Sequence, residues 1–151
     1  MNIKKRILPT FLLICVIAII PFVIHSESNN HGHDKEYGPS VVSEIMNFEQ
    51  LNSIVEKSGK DLIMLDLYAD WCQPCKILSP MLEKITAEHM DKVTAYKINV
   101  DKNPDLARAF QVSGIPYVVF VKDKKAVYAI TGLRSKAEYI DAINRFYNSG
   151  F

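Results

Sequence analysis

Cys72 and Cys75, in the run Trp71-Cys72-Gln73-Pro74-Cys75-Lys76, are the residues of this sequence whose type and spacing could do chemistry by themselves. Two cysteines three apart at the start of a helix can approach closely enough to form a disulfide, while the free N–H groups of the first turn face the first sulfur. The partial positive charge there favours thiolate over thiol, and thiolate is the species that attacks a disulfide. Lys76 adds a nearby cation. Cys72 is expected to attack. Cys75, one turn further in and more buried, is expected to resolve the mixed disulfide by attacking Cys72. A zinc centre would need about four Cys or His ligands, and the folded part offers one such cysteine pair with His89 as its sole histidine. A structural disulfide closing so short a loop would add little stability.

Asp66 stands inside the otherwise apolar run 62–69. A carboxylate there is costly unless it is paired or protonated. Function is the simplest reason to keep it, the alternative being a hydrogen-bonded structural aspartate. The same argument applies less strongly to Lys97, whose stem can bury while its head reaches water. Trp71, directly before the pair, either shields the disulfide or simply packs.

These residues need elements to position them. Residues 41–46 suit a short strand, and Asn47 suits the N-cap of a helix carrying Phe48, Leu51, Ile54 and Val55, with Gly59 ending it. The run 62–69 describes a strand buried on both faces, in the middle of a sheet. Residues 72–89 read as a helix with Pro74 in its first turn, a kink at Pro80, and Ile77, Leu78, Met81, Leu82 and Ile85 on its inner side. Residues 93–100 follow as a strand and 104–110 as a short helix. Residues 117–121 and 126–131 form an antiparallel hairpin around the charged turn Lys122-Asp123-Lys124-Lys125. Ser135 caps a last helix with Ala137, Ile140, Ile143 and Phe146 at helical spacing. The order β-α-β-α-β-α-β-β-α predicts an α/β domain, a central mixed sheet with helices on both faces.

The 151 residues leave room for one ordinary domain, and 48% apolar with 23% charged residues is a globular composition. All 17 acids lie beyond residue 26, against 15 bases there, which is no footprint for nucleic acid. Lys4-Lys5-Arg6 precede the apolar run 7–24, so residues 1–24 are expected to be a signal peptide or an N-terminal membrane anchor with its basic end in the cytoplasm. Cys15 inside that run reads as a small buried hydrophobe. Residues 25–40 read as a polar, flexible tether in which His25, His31 and His33 are solvated, and residues 41–151 as the folded domain. The domain is expected to lie outside the cytoplasm, periplasmic or tethered to the cytoplasmic membrane.

The stretches ADWCQPCK, KINVDKNP and SGIPYVVFVKDKK resemble the thioredoxin superfamily in order and spacing over roughly residues 41–151. A CxxC that opens a helix after a buried strand is itself a thioredoxin-like arrangement. The stretch MLDLYADWC is similar to the C-terminal exported domain of DsbD-type disulfide-interchange proteins, whereas the proline before the second cysteine is more like cytoplasmic thioredoxins. The resemblance implies a thioredoxin fold, with Cys72 and Cys75 as the redox-active disulfide, Cys72 its nucleophile and Cys75 its resolving thiol. It further implies that Pro116 is a cis-proline and that Asp66 and Lys97 are a buried proton-handling pair. A proline opposite the CxxC can leave the backbone of Ile115 unpaired, ready to bond an extended substrate. Trp71, Ile115 and Pro116 are therefore the expected substrate contacts. Gln73 departs from the thioredoxin glycine, and Tyr117 from a common threonine.

The expected activity is dithiol-disulfide exchange with exported protein substrates, leaning to reductase or electron relay. Expected partners are such substrates and a membrane or soluble redox partner, with a monomeric chain and no dissociable cofactor. The rival reading is a metal-binding or metallochaperone module that joins Cys72 and Cys75 to the His31-Gly32-His33 tether.

Overall fold

Strand β2 (Leu62–Tyr68) occupies the centre of the sheet because its side chains are buried on both faces, and a two-sided apolar strand has no stable place at an edge. The computed structural model describes residues 42–149. The expectations for residues 1–24 and 25–40, with Cys15, His25, His31 and His33, lie outside the described residues. Around β2 the order is β1-β3-β2-β4-β5, formed by β1 (Ser43–Glu44), β3 (Val93–Asn99), β4 (Tyr117–Lys122) and β5 (Lys125–Thr131). Strands β1, β3 and β2 are mutually parallel, and β4 and β5 run antiparallel to their neighbours. The helices are α1 (Phe48–Lys57), α2 (Gln73–Glu88), α3 (Pro104–Ala109) and α4 (Lys136–Asn148). The mixed sheet, the element order and the helices on both faces agree with the sequence reading.

Local chemistry accounts for the boundaries. Gln50 N–H donates to Asn47 Oδ1 at 2.9 Å, satisfying one of the free donors at the start of α1. Gly59, at φ +57, turns the chain out of that helix in a conformation that costs glycine little. Asp123 and Lys124 both have positive φ, the pattern of the tight turn that matches strand twist in a hairpin. Glu138 reaches back to the Ser135 N–H at 3.2 Å and so closes the start of α4.

Alternation along β2 divides the core. Leu62 and Met64 face α2 and α4, with Leu78, Leu82, Ile85, Tyr139, Ala142 and Ile143. Ile63, Leu65 and Leu67 face α1 and α3, with Leu51 and Leu106. Two helical expectations shift. Ile77 is 60% exposed, because the buried stripe of α2 runs through Cys75, Leu78, Leu82 and Ile85 and leaves Ile77 about 100° off it. Ala137 is exposed as well, since α4 turns Tyr139, Ala142 and Ile143 inward. Helix α2 continues through Pro80.

Candidate active site

Strand β2 delivers the chain to the carboxyl edge of the sheet, and α2 starts there. Cys72 is the N-cap of α2, with extended backbone, and its Sγ accepts the Cys75 N–H at 3.2 Å. Cys72 and Cys75 are joined by a disulfide, with their Cα atoms 5.3 Å apart. Cys72 is 4% exposed and Cys75 1%, so the first cysteine is the more accessible of a buried pair. They pack with Ala69 against Tyr68, Val100 and Ile115.

Asp66 lies on the face of β2 turned toward α2, in step with Leu62 and Met64. It is 4% exposed. The Ser79 hydroxyl donates to Oδ2 at 2.9 Å, while Oδ1 has no hydrogen-bond partner among the described residues. Burial pushes the carboxyl up from its ordinary 3.8 to about 6, against the Ser79 hydrogen bond and the Lys97 charge, which both lower it. Ser79 is one helical turn after Cys75, so α2 links the disulfide to the carboxylate.

Lys97 is in register with Asp66 on the neighbouring strand. It is half-buried on an interior strand of the sheet. Its ammonium lies over the Tyr68 ring, 5.9 Å from the centroid, so Asp66 and Lys97 interact through space and not as a contacting pair. Trp71 is 67% exposed, and its Nε1 donates to Asp101 Oδ2 at 2.8 Å. Asp101 is held in turn by its N–H on Asn99 Oδ1, at 3.0 Å. The Ile115–Pro116 peptide is cis, and Ile115 precedes the ladder of β4, whose pairing begins at Tyr117.

The structure therefore brings Cys72, Cys75 and Ile115 into one cluster, with Asp66 linked to it through Ser79 and α2, and Trp71 on the solvent side. Sequence reasoning missed Ser79, Asp101, Tyr68 and Glu44. A usable signal existed for Ser79, a small polar residue four after Cys75, next to the buried stripe of α2. Among the described residues no group of three or more His, Cys, Asp or Glu side chains is placed to hold a metal ion. The arrangement can store two electrons in a dithiol and release them to another disulfide.

The sequence model of the family described as Thioredoxin matches residues 42–145. A thioredoxin from Chlamydia caviae is 37% identical over 101 residues, covering 67% of this chain and 95% of that one. A thioredoxin from Buchnera aphidicola is 39% identical over 88 residues, 58% of this chain and 81% of its own length. Among solved structures, a thioredoxin from Nicotiana alata superposes with TM-score 0.67 at 29% identity, covering 73% of this chain and 96% of that one.

Proposed function

We propose that this chain, which belongs to the thioredoxin family and is a protein-disulfide oxidoreductase with Cys72 and Cys75 as its redox pair, serves exported proteins outside the cytoplasm as a reductant or electron relay, in the manner of the C-terminal domain of DsbD-type proteins. In the reduced state the Cys72 thiolate attacks a client disulfide, forms a mixed disulfide and releases one client sulfur as thiolate. Cys75 then gives up its proton, attacks the Cys72 sulfur and releases the second client thiolate. Two electrons pass to the client, and the Cys72–Cys75 disulfide remains.

The observation that carries this reading is the half-satisfied carboxylate of Asp66 on the α2 side of the sheet. With its proton affinity raised toward neutrality, it is a base matched to deprotonating a buried thiol near pH 7. Trp71, Ile115 and Pro116 form the client contact, and Lys97 tunes Asp66. Location outside the cytoplasm rests on Lys4-Lys5-Arg6 ahead of the apolar run 7–24, and the DsbD likeness on MLDLYADWC.

Equilibration against glutathione or dithiothreitol tests the direction. A reduction potential near the thioredoxin value of about −270 mV is expected, and one near about −120 mV would make the chain an oxidant. A phosphatase fused after Phe151 should be active only when exported, and activity from a fusion retained in the cytoplasm would refute the location.

A further inference from the structure

The row of the sheet that contains Asp66 holds two more charged residues. Glu44 on β1 is in register with Lys97 on β3, and Lys97 with Asp66 on β2. These strands are parallel, so in-register residues project from the same face, with about 4.8 Å between neighbouring strands. Lys97 thus stands midway between two carboxylates. It does not bond Asp66, whose Oδ2 takes the Ser79 hydroxyl and whose Oδ1 has no partner among the described residues. Its ammonium instead lies over the ring of Tyr68, which is two residues beyond Asp66 on the same face. The Tyr68 hydroxyl donates to Glu44 Oε1 at 3.2 Å, and Lys102 Nζ approaches that oxygen at 3.9 Å.

We propose that Tyr68 and Glu44 are positioning residues for the exchange reaction: the ring seats the Lys97 ammonium, Glu44 anchors the ring, and Lys97 is thereby held off Asp66. The inference rests on the reading of Asp66 as the base for Cys75. An ammonium in direct contact would stabilise the carboxylate and make it a weaker base. The electron-rich face of an aromatic ring is an alternative seat for the cation, and Glu44 attracts it from the far side of the row. The groups disposed around Asp66 are Ser79 from α2, with Cys75 one turn before it, Tyr139 from α4, and Lys97 from β3 with Glu44 behind it. Val118, its register partner on β4, is apolar. Burial raises the proton affinity of Asp66 and the Ser79 hydrogen bond lowers it; Lys97 is the one cation of this set, so its seat sets how much further that affinity falls.

Carboxyl-carbon NMR of the full chain with the disulfide intact, titrated over pH and assigned with Asp66→Asn, reads the proton affinity of Asp66 directly. Tyr68→Leu should let Lys97 fall onto Asp66 and lower that affinity about tenfold or more. Tyr68→Phe keeps the ring and should restore most of it. Glu44→Gln, at a partly exposed position of a two-residue strand, should act in the same direction by a smaller factor and keeps the test open if Tyr68→Leu fails to fold. In a Lys97→Met background neither Tyr68→Leu nor Glu44→Gln should change the affinity by more than about twofold, because no cation is left to misplace. Unchanged affinity in both variants, or equal shifts without Lys97, would overturn the proposal. Kinetics separate it from the reading beneath it. Unimpaired resolution in Asp66→Asn would overturn the base assignment, whereas slowed resolution in Asp66→Asn with no titration shift in Tyr68→Leu would overturn the positioning alone.

Discussion

The two faces of the sheet are built to different ends. Under α1 and α3 the sheet residues turned inward are apolar: Ile63, Leu65 and Leu67 of β2, Ile98 of β3, and Val119 and Val121 of β4. Under α2 and α4 the same alternation starts with Leu62 and Met64 and then places Asp66. Other polar groups on that second face are fully engaged. Thr86 donates to the Leu82 carbonyl at 2.8 Å, and buried Lys122 donates to the Phe146 carbonyl at 2.9 Å, near the end of α4, where a cation meets the negative pole of the helix. Asp66 alone of these keeps an unpartnered buried atom. Raising its proton affinity from 3.8 to about 6 costs the folded state about 3 kcal/mol above pH 6, a sizeable share of a typical stability of about 5–15 kcal/mol. One face supplies stability, and the other gives some of it up at a carboxyl bonded to the helix that carries the disulfide.

The comparison breaks most visibly at the cysteines. Cys75→Ser should accumulate mixed disulfides through Cys72 and lose turnover, while Cys72→Ser should trap few or none. Gel analysis under non-reducing conditions checks this, and equal trapping by both would undo the division of roles. Next in size is Leu65→Ala on the apolar face, which should cost about 2–5 kcal/mol in a denaturant melt and leave the reduction potential unchanged.

Asp66→Asn should do the reverse and raise stability at pH 7 by about 1–3 kcal/mol, the upper figure being the desolvation cost removed. The sign follows from linkage. The native state binds this proton more tightly than the unfolded chain, so wild-type stability falls as pH rises from about 4 to about 6 and is level beyond. The advantage of Asn should therefore vanish below about pH 4. Smallest is Asn47→Ala, which removes the Gln50 N–H bond at the start of α1 and should cost about 1 kcal/mol with no change in exchange rate.

The fold was legible because its signals are local. The unbroken apolar run of β2, the Asn47 and Ser135 caps and the charged turn at residues 122–125 each show within a few residues. So did the cysteines at the start of α2. What stayed hidden depends on register and distance along the chain. Tyr68 meets Glu44 across 24 positions, Trp71 meets Asp101 across 30, and Asp66 meets Ser79 across 13. Apolar spacing also marks a face only coarsely. Ile77 fits the inner stripe of α2 by type yet lies about 100° off it, and Tyr139, polar by type, buries its ring while its hydroxyl donates to the Gly132 carbonyl at 3.3 Å.

The central claim is that Asp66 is kept at a cost in stability because it takes the Cys75 proton. Single-turnover kinetics of the reduced chain with a disulfide peptide, joined to a denaturant melt of the same preparation, test it for wild type and Asp66→Asn. The account predicts opposite movements at pH 7, with the melt shifted to higher denaturant and resolution of the mixed disulfide slowed more than its formation. Unchanged rates, or a domain that unfolds on this substitution, would contradict it.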